Sequence, residues 1–353
     1  MKCIFCGAEW TVPYKAVFEN CPFCGKSLEE AEECQQTTNP ASDFDVVGTV
    51  LRAYRGTNPV VVVPEGITMI GMESTRSGAF SNNRNIQKVV LPKSLRAIPE
   101  RAFYNSSVCE VVIPESVEEI GAEAFGYCKE MMKVTIPDSV HKIGPNTFHA
   151  CVALIEVQLP KKLTELPRGI FHNCHSLRSI DLPQSIVRIQ QEAFSDCKSL
   201  EQIKLPAELK DLCQYAFSQC TNLTKVEFGG KLKEIGKGVF SGCNALREIT
   251  LPNGLHSIGD EAFLNCRNLT KILIPNTVKS LEQYPFRGCT ALYEVLCPNH
   301  FHINEFWGSL YYDVVQEKLK RIEKGECPEC GGKLNYLKTV CKSCGRRYSK
   351  IRK

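Results

Sequence analysis

The sequence predicts a mainly β repeat solenoid of about ten 23-residue coils with a parallel sheet, flanked by a small cysteine-rich module at each end. The first observation behind this prediction is a phenylalanine that returns every 23 residues, with a single step of 22. The second is a strand-like apolar pattern in phase with that phenylalanine. The third is a pair of Cys-x-x-Cys motifs near each terminus. The phenylalanines are Phe80, Phe103, Phe125, Phe148, Phe171, Phe194, Phe217, Phe240, Phe263 and Phe286.

Each coil carries the pattern of a short strand with one buried face. In the segment from Leu177 to Pro183, an aliphatic residue is followed by two polar residues, a β-branched residue, a spacer, an aliphatic residue and then the proline. Proline has no N–H for a sheet ladder, so it is expected at the strand's end, where Gly229 replaces it once. A second apolar pair follows before the next phenylalanine. No single repeat of this length buries its own apolar face, so the coils must stack, as they do in a leucine-rich repeat solenoid.

A cysteine ladder runs in phase with the phenylalanines. It stands three residues after the phenylalanine in eight consecutive coils, at Cys128, Cys151, Cys174, Cys197, Cys220, Cys243, Cys266 and Cys289. Cβ atoms one coil apart lie near the strand spacing of about 4.8 Å, which exceeds the usual disulfide range. We therefore expect these cysteines to be small buried apolar residues rather than disulfide partners.

The motif Ala-Phe-x-x-Cys-x-x-Leu-x-x-Ile-x-Leu-Pro-x-x-Leu-x-x-Ile-Gly resembles the BspA-like leucine-rich repeat family across residues 44–300. The segment from Asp43 to Gly66 looks like that family's first coil, and its valine run is expected to cover the exposed first edge. The resemblance implies a non-catalytic interaction or attachment protein, and many members of the family are displayed on the cell surface.

The N-terminal module, 1–28, is predicted to be a zinc ribbon. Its two Cys-x-x-Cys pairs match a structural site in which four thiolates saturate one Zn²⁺ and leave no open position for catalysis. The predicted ligands are Cys3, Cys6, Cys21 and Cys24. A redox role is the weaker alternative, because no thioredoxin-like pattern surrounds the pairs. Residues 29–43 follow as an acidic linker.

The C-terminal region is predicted to hold an aromatic cap and helix, 301–325, and a second zinc ribbon, 326–353. The predicted ligands of this ribbon are Cys327, Cys330, Cys341 and Cys344. A group of basic residues surrounds it and could contact phosphates: Arg346, Arg347, Lys350, Arg352 and Lys353. The same basic end could instead be a solvated terminus, or bind the acidic N-terminal module of this or a neighbouring chain.

Charge and cysteine usage bear on the compartment. The net charge of +4 indicates no strong preference for nucleic acid or an anionic membrane. The ends differ in sign, at −5 for residues 1–45 and +8 for 317–353. No stretch has the length of a signal peptide's apolar core or of a membrane span. These features, with cysteines arranged for burial and metal binding, predict a protein of the reducing cytoplasm that does not contact a membrane.

No catalytic constellation is recognisable. His172, Cys174 and His175 are close in sequence and could suggest a nucleophile or a metal site, but Cys174 belongs to the ladder and should point inward. The sequence therefore predicts a non-catalytic intracellular scaffold that binds a protein partner through its solenoid surface and carries structural Zn²⁺. The alternative is a nucleic-acid-associated regulator that binds through the basic C-terminal ribbon.

Overall fold

The computed structural model describes residues 39–71, 78–292, 294–296, 321, 324–327, 333 and 341–343. Within them the chain forms stacked coils, and most coils contribute one strand of three residues and one of two residues. Strands of the same kind pair in parallel with those of neighbouring coils. The predicted parallel solenoid is therefore confirmed. The predicted module 1–28 lies outside the described residues, as do residues 29–38 of the predicted linker and, apart from 321 and 324–325, the predicted cap and helix 301–325.

The chain begins with a 3-10 turn, Ala41–Asp43, and an antiparallel hairpin of β1 (Phe44–Val47) and β2 (Val50–Tyr54). The three-residue strands are β3 (Val60–Val62), β5 (Lys88–Val90), β7 (Glu110–Val112), β9 (Lys133–Thr135), β11 (Glu156–Gln158), β14 (Gln202–Lys204), β16 (Lys225–Glu227), β18 (Glu248–Thr250), β20 (Lys271–Leu273) and β22 (Glu294–Leu296). Their middle residues point into the core, and their first and third residues lie on the outer side, where Val60 of the edge strand is itself buried. We call this outer surface the strand face.

The second sheet consists of two-residue strands. They are β4 (Met69–Ile70), β6 (Ala97–Ile98), β8 (Glu119–Ile120), β10 (Lys142–Ile143), β12 (Glu165–Leu166), β13 (Arg188–Ile189), β15 (Asp211–Leu212), β17 (Glu234–Ile235), β19 (Ser257–Ile258) and β21 (Ser280–Leu281). Six of them, from β12 to β21, form one uninterrupted parallel sheet. The hairpin strand β2 pairs with β4 and covers the N-terminal edge of this second sheet.

The core is a column of phenylalanine rings. All ten phase-marking phenylalanines are completely buried, and neighbouring rings stack with centroids 4.9 to 5.8 Å apart. Burying each ring contributes roughly 2–3 kcal/mol, because apolar transfer dominates folding. Since each ring contacts those of the coils above and below, the column can form only when the coils stack in register.

The cysteine ladder lies beside the phenylalanine column. All eight members are buried, and none forms a disulfide. Each thiol donates to the carbonyl oxygen of the phenylalanine in the preceding coil, with sulfur-to-oxygen distances of 3.0 to 3.2 Å. The sequence predicted burial of these side chains but not this bond. The ladder therefore joins consecutive coils through S–H donors as well as through packing.

Every coil turns through left-handed backbone two residues after its phenylalanine. These residues are Asn82, Asn105, Tyr127, Ala150, Asn173, Asp196, Gln219, Gly242, Asn265 and Gly288. Nine coils have a second left-handed residue two positions before the phenylalanine, including Arg101, Glu192 and Tyr284. Non-glycine residues pay about 1–2 kcal/mol for this conformation. The inter-coil hydrogen bonds on both sides of each phenylalanine, such as Phe194 N to Ala216 O at 2.8 Å, hold it in place.

The first edge of the strand face is covered by one side chain. Asn39 Oδ1 accepts from Val62 N at 2.8 Å, and Asn39 Nδ2 donates to Val60 O at 3.0 Å, so a carboxamide takes the place of a neighbouring strand. The valine run was expected to cover this edge. Instead Val60–Val62 is the edge strand itself, because its backbone continues the parallel ladder into β5. Within the described part of the chain, no helix is both long and apolar enough to cross a membrane.

Candidate interaction surface

Ion pairs neutralise parts of the strand face. Opposite charges face each other on neighbouring strands where Lys88 Nζ lies 3.1 Å from Glu110 and Lys133 Nζ lies 2.6 Å from Glu156. Lys225 departs from the pattern because it pairs with Glu227 of its own strand. Exposed pairs of this kind contribute about 0–1 kcal/mol each. They reduce the net charge of the face, so its regions differ mainly in their apolar residues.

Those apolar residues lie at the two ends of the strand face. Val62, Val90 and Val112 occupy the third strand position near the N-terminal end, and Leu273 and Leu296 occupy it near the C-terminal end. The central coils carry polar or charged residues at the same position: Gln158, Asp181, Lys204 and Glu227.

A groove of about 550 Å³ interrupts the strand face between β16 and β18. These two strands are not hydrogen-bonded to each other, whereas β16 pairs with β14 and β18 with β20. Val226 and Phe228 line the groove and are only partly buried. In the other internal coils of the described range 86–274, the residues at both positions are buried. Among these described coils, only this one therefore exposes part of the two apolar side chains that the strand normally buries.

The cause of the groove is a local change of sequence. Phe228-Gly229 replaces the Leu-Pro or Ile-Pro of other coils, and the Phe228 ring packs edge-on against Phe240 with centroids 6.0 Å apart. Gly229 lies so close to the preceding coil that an added Cβ would overlap the Pro206 carbonyl oxygen. Gly229 and Pro206 thus bring the ends of β16 and β14 close together. The result is an apolar slot with Lys225, Glu227 and Glu248 at its rim.

A second depression, of about 680 Å³, lies on the sheet of two-residue strands. It includes Cys213, and its charged groups are largely paired, as Arg188 Nη2 with Asp211 at 2.8 Å and Lys237 Nζ with Asp260 at 2.8 Å. Burial raises the pKa of the Cys213 thiol, and nearby Asp211 adds to this effect. A protonated thiol among neutralised charges is a poor nucleophile.

A column of half-buried rings follows the turn edge of four coils. Tyr104, Tyr127, His149 and His172 meet edge to face, with centroids 4.8 to 5.4 Å apart. His149 Nε2 lies 3.2 Å from the Tyr127 hydroxyl, while its buried Nδ1 has no hydrogen-bond partner. Burial lowers the pKa of His149, and the neighbouring His172 lowers it further. The lowered pKa of His149 favours its neutral form within this column of rings.

The structure separates the residues that could have suggested a nucleophilic site near position 174. The Cys174 thiol points into the core and donates to Phe148 O at 3.2 Å, and burial raises its pKa well above the usual range. His172 packs against His149 on the turn edge instead. No cluster of three or more metal-binding side chains is present among the residues that the structure describes.

Only two of the eight predicted zinc ligands are described. Cys327 and Cys341 are both buried. Glu326 pairs with Lys333 in an antiparallel bridge, and Lys342 N donates to Lys333 O at 2.9 Å, so residues next to both cysteines meet the same short segment. The remaining predicted ligands lie outside the described residues: Cys3, Cys6, Cys21, Cys24, Cys330 and Cys344. So do the predicted phosphate-contacting residues Arg346, Arg347, Lys350, Arg352 and Lys353.

Sequence reasoning missed the groove, the Asn39 edge contact and the left-handed turns. The groove had a signal, because Phe228-Gly229 is the one departure from a strand-ending proline between Pro92 and Pro275. The turns had a partial signal in the asparagine and glycine that recur two residues after the phenylalanine. Asn39 had none, since its role depends on where the β3 edge lies in space.

Comparison with known proteins agrees with this architecture. A family model described as a BspA type leucine rich repeat region matches in six copies, over residues 73–187 and 164–293. These ranges together cover more than half of the chain. No curated protein matches significantly.

Several solved structures are similar. A leucine-rich repeat protein from Bacteroides ovatus is 21% identical, over 77% of this chain and 97% of that chain, with a TM-score of 0.37. A leucine rich cell surface protein from Faecalibacterium prausnitzii is 22% identical, over 77% and 95%, with a TM-score of 0.36. The T. pallidum leucine-rich repeat protein is 27% identical, over 60% and 91%, with a TM-score of 0.43. All three TM-scores are low, so the assignment rests on the repeat model.

Proposed function

Because the chain belongs to the BspA-type leucine-rich repeat family, we propose that it is a non-catalytic scaffold that binds a partner protein on the strand face. The groove between β16 and β18 is the anchor of this contact. An extended segment of the partner lies across the strands, and one of its apolar side chains enters the slot beside Phe228. Repeat solenoids use such continuous surfaces for binding.

The observation that carries this proposal is the exposure of Val226 and Phe228 at a single internal coil. A regular coil would bury the residues at both positions, as the next coil buries Ile249 and Leu251. An apolar slot with a charged rim has the anatomy of an interface hot spot, in which a central apolar anchor is surrounded by polar contacts. Departures from local regularity at one position are characteristic of functional sites.

The test is affinity capture from cells that produce the protein, quantified by mass spectrometry, with two variants of one coil. Thr250→Arg places a long charged side chain at the groove, where Thr250 is exposed. Ser257→Arg, on the second sheet of the same coil, is the matched control. We expect a protein partner to be lost with Thr250→Arg, by about tenfold or more, and retained with Ser257→Arg. Equal capture by both variants would refute the groove as the anchor.

Nuclease treatment of half of each sample separates the alternative. If the captured material is nucleic acid and is indifferent to Thr250→Arg, a regulator that binds through the basic C-terminal residues replaces the scaffold. Neutralising Arg346 and Arg347 would then abolish capture and reduce its salt dependence.

We further propose that both end modules hold a structural Zn²⁺. Support comes from the spacing of the cysteine pairs and from the burial of Cys327 and Cys341. Metal analysis of the purified chain should give about two zinc ions, and Cys327→Ala about one. Equal zinc in both proteins would contradict the C-terminal site.

A reducing cytoplasm is the proposed location. The Cys-x-x-Cys pairs at each end support it, because thiols bind a metal ion only where they stay reduced. Fractionation of cells carrying the tagged full-length protein tests this location directly.

A further inference from the structure

The N-terminal end of the strand face is a contiguous apolar patch. Val62, Val90 and Val112 stand in register on the three paired strands β3, β5 and β7. Val62 is 49% exposed and Val112 is 40% exposed, so both present large parts of their side chains to solvent. Single exposed apolar residues are ordinary on protein surfaces, but three in register on adjacent strands form one surface. We call it the valine face.

The chain reaches the valine face from its own N-terminal segment. Asn39, where the described residues begin, is hydrogen-bonded to Val60 and Val62 of the edge strand. Residues 1–38 therefore join the solenoid beside Val62 itself. The patch spans two strand spacings, about 10 Å. A linker of ten residues reaches up to about 35 Å, so the segment that precedes it can lie on the face without strain.

The N-terminal segment contains several aromatic residues, whose burial is favourable. Residues 1–38 include Phe5, Trp10, Phe18 and Phe23 among their aromatic side chains. A segment of this size has little apolar core of its own, so an adjacent apolar surface offers these aromatic residues further burial. Attachment beside the face also gives a high effective concentration, so a modest contact suffices for docking.

We propose that residues 1–38 of this chain pack on the valine face of the same chain. The packing continues the sheet surface beyond the Asn39 contact and removes Val62, Val90 and Val112 from solvent. It leaves the groove near Phe228, which lies several coils away, open to a partner. The proposal does not depend on the function proposed for that groove.

Amine-directed cross-linking of the full-length protein with a short reagent, analysed by mass spectrometry, tests this docking. Lys2, Lys15 and Lys26 report on the N-terminal segment, and Lys88 and Lys93 lie near the valine face. Equal amounts of isotopically labelled and unlabelled chains are mixed first, so that links within one chain are distinguished from links between chains. We expect links within one chain between these two groups of lysines.

A double variant shows whether the valines cause these links. Val62→Glu with Val112→Glu should reduce them by about tenfold, because two apolar contacts are lost and carboxylates are added opposite an acidic segment. Ile155→Glu is the matched control, since Ile155 is an equally exposed aliphatic residue, 49%, away from the patch. It should leave the links unchanged. If the double variant unfolds in urea more readily than the control, Val62→Thr with Val112→Thr replaces it.

Two results would overturn the proposal. Links that persist in the double variant would mean that the linker alone keeps the segment near the face. Links mainly between labelled and unlabelled chains would mean that the valine face is an interface between copies.

Discussion

Adding a side chain at Gly229 should destabilise the protein, although the equivalent position of the other internal coils carries proline. The added Cβ of Gly229→Ala would overlap the Pro206 carbonyl oxygen and lie 2.7 Å from the Pro206 carbon and 2.8 Å from Ala207 Cα. Ordinary van der Waals contact begins near 3.4 Å. All three neighbours are backbone atoms, so no side-chain rotation relieves the overlap. The coil must shift, and overpacking of this kind costs about 1–3 kcal/mol.

The neighbouring glycine provides the control. An added Cβ at Gly230 has no atom within 4 Å. Gly230→Ala should therefore be neutral, or stabilise by up to about 1 kcal/mol through the lower entropy of the unfolded chain.

Urea unfolding of the two variants and the wild type, followed by circular dichroism, measures the difference in the free energy of unfolding. We expect Gly229→Ala to have a lower midpoint at an unchanged slope. A Gly229→Ala variant as stable as Gly230→Ala would refute the argument that Gly229 lies too close to Pro206 to accept a side chain. It would also remove the structural explanation of the groove.

Three further predictions concern the ladder, the edge and the histidine column. Cys197→Ala should lower the free energy of unfolding by about 1–3 kcal/mol, because a buried sulfur and its hydrogen bond to Phe171 O are both lost, and urea unfolding measures this loss. Asn39→Leu should destabilise by about 1–2 kcal/mol and expose the β3 edge, which light scattering at rising protein concentration would detect as association. His149 has a lowered pKa in the folded state, so its contribution to stability is present above its unfolded pKa of 6.5 and is lost as the pH falls below that value. Urea midpoints at pH 7.5 and 5.5 should therefore differ less for His149→Gln than for the wild type.

The repeat made much of the fold predictable. A period of 23 residues relates the positions of all coils, so one pattern identifies the buried phenylalanine, the ladder cysteine and the strand residues throughout. Burial follows directly from this pattern because each coil has the same neighbours. The candidate site was less predictable. The apolar ends of the strand face could be read from the register, but the groove could not, since its opening depends on how closely Gly229 approaches Pro206.

The sequence alone thus determined the architecture, the core column and the residues that face solvent, because these follow from a side-chain pattern repeated at constant spacing. The tertiary structure decided how the coils are joined and where they part. The ladder thiols bond to the preceding coil, and Asn39 completes the edge of a strand more than 20 residues away. Phe228 opens a groove through its contact with Phe240 of the next coil. Each of these features is a contact between coils, and no pattern within one coil specifies it.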